Sequence, residues 1–542
     1  MGKRADCCYD VEVRPPKILL LRKTQFLVLA LCLAACAAAL PPANLPPVPN
    51  TVDAITPTEL RMHLDFLASE ELGGRYTLSP SFAIAARYLA AHLAAYGFKG
   101  AGDHGGFLQS FEVISGKPDA SSSLVVTIAG KVKTYELGDF GFSMGAGNAD
   151  VQAPIVFVGA GISSAAQKHD DYAGLDVKGK IVLVAPGGAG LDPSVLDDSE
   201  EGEGAAQARG AVAILKIPSQ HFASYMKGPG YRDRILQREE VRLAQEAQNA
   251  LPTVTVGPDL ADKLLASIGL SSSAIYAAVD KKQYLAPKAL DASAHVTLHV
   301  HQSRTTTQNV AGILEGADPQ LRNEYVVFSA HYDHLATSPS GQVYPGADDD
   351  GSGTTAVLTI AHALAMNRPR RSVLIMFHAG EELGLLGSEY NTQYAPAVAL
   401  NKLVVDLNID MIGRSKSPGD TETADEHLSP ANTVYLVGAG RISPELRQIS
   451  EDTNAQFERL KLDYYYDDPR NPERIYFRSD HWNYARHGVP VIFYFDGIHA
   501  DYHRPTDTID KIDFTKLTQI TRLVFETGWR IANLDHRLSK AQ

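Results

Sequence analysis

The second half of the chain alternates between short apolar runs and helical segments, and this alternation limits its folds more than any other feature. From about residue 293 onward, runs rich in Val, Ile and Phe are each followed by a segment with helical periodicity. The runs lie at 325–330, 372–377, 402–409 and 489–495, and the helical segments at 352–366, 384–390, 443–453 and 513–533. Such alternation predicts an α/β fold with a mostly parallel sheet flanked by helices.

Polar clusters follow the predicted strands where the strands end. The clusters lie at 331–334, 346–351, 381–382, 408–410 and 501–504. Because sites in such sheets form beyond the carboxyl ends of the strands, we expect all five in one crevice. Singly, each has an ordinary explanation, since histidines often bond locally and acidic residues cap helix N-termini. Together, they place so many carboxylates in one crevice that a cation is needed to offset their repulsion.

The residue types limit which metals the site could hold. The four cysteines all lie in the first 36 residues, at Cys7, Cys8, Cys32 and Cys36. A metal site, if the body has one, must therefore use His, Asp and Glu, and the body has neither a disulfide framework nor a thiol nucleophile. Imidazole and carboxylate ligands suit zinc, with manganese or cobalt as substitutes. Two metals about 3.5–4 Å apart are a common hydrolytic arrangement.

The net charge disfavours a nucleic-acid partner, and an incomplete phosphate-binding motif disfavours a nucleotide. Lys and Arg total 50 against 63 Asp and Glu, a formal net charge of −13, whereas a general nucleic-acid binder needs a basic face. Residues 174–180 match a phosphate-binding loop as far as Lys180, but Ile181 stands where the motif requires Ser or Thr.

Five strings in the chain resemble a known family. In order and spacing, SAHYDHL, GADDDGSG, AGEELGLLGS, LNIDMIGR and DYHRPTDT resemble the motifs of the di-zinc secreted aminopeptidases, a fold that glutamate carboxypeptidases and the transferrin-receptor ectodomain share. The resemblance covers about 56–130 and 293–535. It implies a zinc-peptidase fold with two Zn²⁺ per chain. It also implies an exopeptidase, most simply an aminopeptidase, that hydrolyses N-terminal residues from peptides through a metal-bridging water.

The resemblance also implies roles for individual residues. The implied metal ligands are His331 and Asp410 on one zinc, Glu382 and His503 on the other, and Asp349 between the two. Glu381 would be the general base, Asp333 would orient His331, and Tyr502 would help to stabilise the oxyanion. Asp350 stands where many members have Asn and adds a negative charge beside the bridge. The neighbouring histidines are interpreted as structural or pocket-lining: His334, His378, His481, His487 and His499.

The first half of the chain predicts a second module inside the catalytic domain. Residues 135–292 contain short β-branched runs among Gly and Pro, and they resemble the protease-associated domain of secreted peptidases. The catalytic domain is thus expected over 51–134 and 293–542. Two helices are expected within 56–98, with Thr56 and Glu59 as a capping box and Gly97 at the second helix end.

The N-terminus predicts export. Basic residues at 17–23 precede an apolar run at 26–35 that is too short to span a membrane, so 1–36 read as a signal peptide. Leu33-Ala34-Ala35-Cys36 resembles a bacterial lipobox, with simple cleavage among residues 34–39 as the alternative. A proline-rich tether follows at 37–50. We expect a periplasmic or outer-membrane lipoprotein of a bacterium, or a secreted protein, with membrane contact only through Cys36.

The same motifs are compatible with other functions. A carboxypeptidase or dipeptidase on the same scaffold would need a basic pocket, for which Arg414, Arg478 and Arg504 are candidates. A non-catalytic binding protein should have lost ligands, yet every ligand position here carries a suitable residue. A serine hydrolase is disfavoured because Ser352 reads as the start of a helix.

Overall fold

The structure is a computed structural model, and it describes residues 45–187, 191, 202–247, 250–468, 471 and 473–541. The signal peptide with Cys36 and most of the 37–50 tether lie outside these residues, so both stay predictions. Within the described residues, no helix has the length and apolarity that a membrane crossing requires. From Pro46 onward the described residues form one compact unit.

The strands of the described residues form three sheets, and their order along the chain differs from their order in the sheets. In chain order they are β1 (Lys99–Gly100), β2 (Leu108–Pro118), β3 (Ser123–Ile128), β4 (Lys131–Glu136), β5 (Phe140–Ser143), β6 (Ala149–Phe157), β7 (Ser163–Ser164), β8 (His169–Asp170), β9 (Ile181–Val184), β10 (Ala213–Lys216), β11 (Glu240–Leu243), β12 (Thr253–Val256), β13 (Lys288–Leu298), β14 (Val300–Leu314), β15 (Tyr325–His331), β16 (Ser372–His378), β17 (Leu403–Ile409), β18 (Thr433–Val437), β19 (Lys461–Asp463) and β20 (Val491–Phe495).

The α-helices of the described residues precede, follow and connect these strands. They are α1 (Pro57–Leu67), α2 (Pro80–Ala95), α3 (Gly202–Ala208), α4 (Gln220–Lys227), α5 (Tyr231–Gln237), α6 (Ala244–Ala247), α7 (Pro258–Ala266), α8 (Ser272–Asp280), α9 (Gly351–Met366), α10 (Leu386–Glu389), α11 (Pro444–Gln456), α12 (His481–Ala485) and α13 (Phe514–Asn533).

Ten strands form the sheet that carries the polar clusters. Their order is β11-β2-β14-β16-β15-β17-β20-β18-β19, with β1 paired to β14. The central strands β16, β15, β17 and β20 are parallel, and almost every residue in them is buried, as both covered faces require. Strands β14 and β18 join this centre antiparallel. The α/β class is confirmed, and the predicted parallel arrangement describes the centre of a mixed sheet.

Eight strands between Ser123 and Leu298 form a second sheet with its own apolar core. Their order is β4-β3-β13-β6-β9-β10-β12-β5. These limits are wider than the predicted 135–292, and β11, which lies inside that range, pairs instead with β2 of the first sheet. Segment 174–180 leads into strand β9, whereas a phosphate-binding loop requires a helix there. The identity of this region as a protease-associated domain stays a prediction.

The two N-terminal helices form where the sequence predicts them, with one difference at the first cap. Thr56 Oγ1 accepts a 3.2 Å hydrogen bond from Glu59 N, and Pro57 is the first helical residue. The Glu59 carboxylate does not complete the predicted capping box but lies 2.7 Å from Nδ1 of His362 on α9. Gly97 follows α2 with φ +85°, a left-handed conformation that glycine adopts without strain.

Candidate metal centre and active site

The predicted ligand residues meet at the carboxyl edge of the parallel strands. His331 is the last residue of β15, Glu382 follows β16, and Asp410 follows β17 directly. Asp349 precedes α9, and His503 lies in the loop after β20. These are the positions from which a parallel sheet presents functional side chains to one crevice.

Asp349 lies at the centre of the group. Its Oδ1 is 3.3 Å from Nε2 of His331, and its Oδ2 is 3.2 Å from Nε2 of His503. The His331 Nε2 atom is also 3.5 Å from Oδ1 of Asp410, and the His503 Nε2 atom is 3.0 Å from Oε2 of Glu382. The two oxygens of one carboxylate therefore face two separate sets of ligand atoms, which is how a bridging carboxylate is placed.

Two groups in the described part of the chain have the geometry to hold a metal ion. In each group the ligand atoms lie within 4.8 Å of one another, and the members are His331, Glu381 and Asp410 in one, and His334, Asp349 and Glu382 in the other. His334, interpreted from the sequence as structural or pocket-lining, is thus a further candidate ligand, with Nδ1 2.7 Å from Oε1 of Glu382. The signal for it was its place in the same HYDH string as His331.

The imidazole nitrogens and carboxylate oxygens of this centre fit a metal cation, because they are buried and lack aligned hydrogen bonds. Among the described residues, His331 Nε2, His503 Nε2, Asp349 Oδ2 and Glu382 Oε1 have no hydrogen-bond partner, although each lies close to other ligand atoms. Buried polar atoms normally find partners, so imidazole and carboxylate atoms that converge on one point without hydrogen bonds fit a cation between them.

The ionisable groups of the centre shift in the directions expected for crowded carboxylates. Burial and the nearby charges of Asp410 and Glu382 raise the pKa of Glu381 well above its usual value. Burial opposes the charged form of His503, but Asp349 and Glu382 raise its pKa to about 10. In the absence of a metal, protons on imidazole and carboxylate offset the repulsion that a divalent cation would otherwise offset.

Asp333 lies behind His331 and is fixed from several sides. His331 Nδ1 is 3.1 Å from the backbone oxygen of Asp333 and 3.7 Å from Oδ1 of its carboxylate. That Oδ1 also accepts a 3.2 Å hydrogen bond from the backbone N–H of Glu381. The predicted orienting residue is thus placed to fix the ring of His331 and the start of the 381–382 segment.

Two buried residues from the first hundred positions support the centre, and sequence reasoning missed both. Thr77 Oγ1 donates a 2.7 Å hydrogen bond to Oδ2 of Asp333. The guanidinium of Arg75 donates to four backbone oxygens, those of Leu67, Tyr332, Pro345 and Gly346, at 2.6–3.0 Å. No local motif marks either residue, because their partners lie far away in the chain.

Asp507 supports the loop that carries the bridging position. Its Oδ2 accepts hydrogen bonds from the backbone N–H groups of Asp348 and Asp349, at 2.9 and 3.2 Å. Asp350 caps α9 through a 2.8 Å bond from Gly353 N and also accepts from Met411 N at 3.1 Å. Asp507 was missed as a site residue, although it is the last acidic residue of the DYHRPTDT string.

The crevice opens into a pocket with an apolar wall. Tyr502 lines it beside the carboxylates of the centre, and its ring stacks on His503 with centroids 3.8 Å apart. Burial and the nearby carboxylates raise the pKa of the Tyr502 hydroxyl, which therefore stays protonated. The apolar lining residues are Met411, Ile475, Phe493, Phe495 and Ile498.

The three candidate arginines have different surroundings. Arg414 is paired with Asp501 at 2.6 Å and with Asp507 at 3.4 Å, so its charge is neutralised within the protein. Arg504 is exposed and does not line the pocket. Arg478 does line the pocket, and it has no ion-pair partner within the part of the chain that the structure describes.

The remaining predicted bystanders take structural positions. Burial lowers the pKa of His378 and of His481 to about 3, so both are neutral, and His481 stacks on Phe493. His499 lies 3.3 Å from Asp348, and His487 is exposed. Ser352 lies in the first turn of α9, where its hydroxyl donates to Asp348 O and accepts from Ile412 N, and it is buried there.

Comparison with known proteins supports the motif resemblance. The model of a family described as Peptidase family M28 matches residues 309–528. A probable leucine aminopeptidase 2 of Aspergillus oryzae is 34% identical over 191 residues, which cover 35% of this chain and 33% of that protein. The uncharacterised protein YfbL of Escherichia coli is 29% identical over 206 residues, which cover 36% of this chain and 63% of that protein.

A solved structure supports the fold over most of the chain. The aminopeptidase from Aneurinibacillus sp. strain AM-1 has a TM-score of 0.51 and 18% identity, with 88% of this chain and 94% of that chain covered. The curated relatives are matched over a third to less than two thirds of their length. Residues 309–528, which hold every predicted ligand of the centre, match the model of Peptidase family M28.

Proposed function

We propose that this protein is a zinc-dependent aminopeptidase that removes N-terminal residues from peptides. The observation that carries the proposal is the placement of the Asp349 carboxylate between two sets of unpartnered imidazole and carboxylate atoms. The names of two similar proteins, a probable leucine aminopeptidase and an aminopeptidase from Aneurinibacillus, support the same activity.

Five residues would hold two zinc ions. His331 and Asp410 would hold one ion and Glu382 and His503 the other, with Asp349 shared, as the distances above favour. His334 competes with His503 for the second position, because its Nδ1 atom also approaches Glu382. When bound, zinc lowers the pKa of a water molecule and polarises a carbonyl group.

Glu381 is placed to move the proton. Its carboxylate lines the pocket beside Asp349 and Asp410, and its Oε2 lies 3.9 Å from Nε2 of His331. In that position the carboxylate can accept the proton of the attacking water and return it to the leaving amine. Asp333 fixes the backbone of Glu381 and therefore the position of that carboxylate.

Tyr502 is placed to stabilise charge on the substrate. Tyr502 lines the pocket, and its ring stacks on that of His503 with centroids 3.8 Å apart. A fixed O–H donor aimed at a developing oxyanion is worth more in a water-poor site than in water. The apolar wall of the same pocket would accept an apolar side chain of the substrate.

A carboxypeptidase or dipeptidase remains the second candidate, and one observation favours it. Arg478 is a pocket-lining cation without an ion-pair partner in the described residues, so it could hold a substrate carboxylate. A non-catalytic binding protein is disfavoured because none of the five ligand positions is lost.

Two measurements test the proposal. Cleavage of a free-amine aminoacyl-anilide is compared with cleavage of an N-blocked peptide that has a free C-terminus. We expect the anilide to be cleaved, with loss of activity in a chelator and recovery with zinc. Turnover of only the blocked peptide would show that the activity is that of a carboxypeptidase and not of an aminopeptidase. A Glu381→Gln variant should retain its metal and lose at least about a hundredfold in kcat.

We further propose that the chain is exported and held at a bacterial membrane through lipid on Cys36. The motivation is the lipobox-like segment before that residue and the proline-rich stretch after it. A Cys36→Ser variant should lose incorporation of labelled fatty acid and leave the membrane fraction. Unchanged fractionation of that variant would contradict the anchor.

A further inference from the structure

The second sheet carries a cavity that the proposed peptidase function does not use. The cavity has a volume of about 650 Å³, in the range of small-molecule sites. Strands β5, β10 and β12 form its floor, and helices α4 and α5 form its walls together with residues at and before β11. It shares no lining residue with the pocket at the candidate metal centre.

The cavity is basic in a protein that is acidic overall. Lys216, Arg234, Arg238 and Arg242 line it, against the single carboxylate of Glu240. The chain as a whole has a formal net charge of −13. Four cations gathered around one cavity with one anion therefore oppose the average charge of the molecule, and they repel one another unless an anion lies among them.

The single carboxylate that lines the cavity, that of Glu240, already has partners within the protein. Glu240 Oε1 accepts a 2.7 Å hydrogen bond from Ser143 Oγ and lies 3.0 Å from Nε of Arg242. Its Oε2 accepts a 3.0 Å bond from Met144 N. Glu240 thus compensates Arg242 and anchors β5, and its oxygens are committed within the protein.

Two of the cations make no ion pair in the described residues, although the charge of Arg238 is near enough to Glu240 to help lower the pKa of that carboxylate. Lys216 and Arg238 are both exposed, and neither makes an ion pair or a side-chain hydrogen bond within the described residues. Arg234 is held by Tyr225 Oη at 2.9 Å and Pro229 O at 2.7 Å, which are neutral acceptors. The charges of Lys216, Arg234 and Arg238 are therefore available to a ligand.

Aromatic rings lie beside these charges. Phe222 and Tyr225 stack with centroids 5.7 Å apart, and Tyr231 meets both edge-on. The guanidinium of Arg234 lies 4.5 Å from the centroid of Tyr225. A Cβ at Gly141 would lie 2.6 Å from the Tyr231 hydroxyl, so the glycine allows this ring to reach the floor of the cavity. The cavity therefore offers aromatic and cationic contacts side by side.

We propose that this cavity binds a small organic anion with an aromatic or branched apolar body. Lys216 and Arg238 meet the anionic group, and Phe222, Tyr225 and Tyr231 contact the apolar body. Carboxylates and phosphates share this recognition chemistry, since both accept hydrogen bonds from Lys and Arg. The site is separate from the metal centre and does not depend on the proposed peptidase function.

Calorimetric titration of the full chain tests the proposal with three probes. These are N-acetyl-phenylalanine, its neutral amide, and phenyl phosphate. We expect saturable binding of at least one anion and at least tenfold weaker binding of the amide, because the amide lacks the charge. The tighter of the two anions identifies the class of ligand. No saturable binding of either anion, or equal binding of acid and amide, would overturn the proposal.

Variants locate the binding within the molecule. Arg238→Gln and Lys216→Gln should each weaken binding of the preferred anion by about tenfold. Arg232→Gln is the matched control, since Arg232 is exposed on the same helix as Arg234 but does not line the cavity. Both cavity side chains are exposed, so we expect unchanged melting temperatures. Binding that survives both cavity variants at full strength would place the anion elsewhere and overturn the assignment.

Discussion

Thr77 and Asp333 are joined by a 2.7 Å hydrogen bond from the threonine hydroxyl to the carboxylate behind His331. We expect Thr77→Val, which keeps the shape and removes the donor, to reduce zinc affinity and kcat by up to about tenfold, because Asp333 loses one of the bonds that fix it. Zinc content by elemental analysis and steady-state kinetics measure this. Thr77→Ser retains the hydroxyl and serves as control; equal losses in both variants would show that only packing is involved.

The two imidazoles near Glu382 should differ in their effect on metal content. His503 reaches Asp349 at 3.2 Å as well as Glu382, whereas His334 lies 3.7 Å from Asp349. We therefore expect His503→Ala to lower bound zinc from about two ions to about one per chain. His334→Ala should keep both ions. The reverse pattern in elemental analysis would exchange the roles of the two residues.

Arg75 should contribute more to stability than its positive charge alone would, because of its hydrogen bonds. It is 1% exposed and donates to four backbone oxygens, which the single ammonium of lysine cannot all reach. We expect Arg75→Lys to lower the free energy of unfolding by about 3 kcal/mol or more, since buried acceptors lose their donors. Urea denaturation measures the change. Arg87→Lys on the exposed face of α2 is the control, and a similar small effect in both would contradict this role.

Arg478 separates the two peptidase candidates. If it holds a substrate carboxylate, Arg478→Gln should raise KM for a dipeptide about three- to tenfold and leave KM for an aminoacyl-anilide unchanged, because the anilide has no carboxylate. Arg504→Gln, an exposed arginine outside the pocket, is the control. An equal rise in KM for both substrates would assign Arg478 a structural role.

Glu526 on α13 predicts a pH dependence of stability away from the metal centre. Burial and the neighbouring Glu458 raise the pKa of Glu526 to about 8. The unfolded chain releases this proton near pH 4.3, so the free energy of unfolding falls as the pH rises from about 4.3 to about 8. Glu526→Gln should thus be more stable than the natural chain by about 1–3 kcal/mol at pH 8.

The Glu526→Gln advantage should shrink towards zero at pH 5. At that pH the native carboxyl is protonated and neutral like the amide, so most of the pH-dependent loss of stability has not yet occurred. Urea denaturation at both pH values measures the difference. The exposed Glu70→Gln is the matched control. An advantage of equal size at both pH values would show that the carboxyl is not the titrating group.

Much of the site follows from local sequence. The ligand positions are predictable because each lies at the end of a strand, in the loop that follows a strand, or just before a helix, and the regular βα arrangement brings those ends together. Thr56, Pro57 and Gly97 are also predictable, since capping depends on neighbours within a few residues. Asp350 is a helix cap as well as a neighbour of the bridge, and the motif alone does not separate these roles.

What could not be predicted depends on distant contacts. Arg75 and Thr77 act on groups more than 250 residues away, and no spacing rule connects them. Glu59 has the spacing of a capping box, but His362 on another helix takes its carboxylate. The antiparallel pairing of β2 with β14 extends the sheet beyond its parallel centre, and it joins two strands that are far apart in the chain. Tertiary contacts decide each of these cases.

The Arg75 contacts also limit when, during synthesis of the chain, the crevice can be completed. Its acceptors at Tyr332 and Gly346 come 257 and 271 residues later in the chain, so during synthesis the guanidinium leaves the ribosome long before they exist. His503 follows still later. Since His503 is the last of the five predicted ligands in chain order, the centre cannot be completed before that residue has been made. It follows that the 309–528 segment, expressed without Arg75, would leave those buried carbonyl groups without their donors.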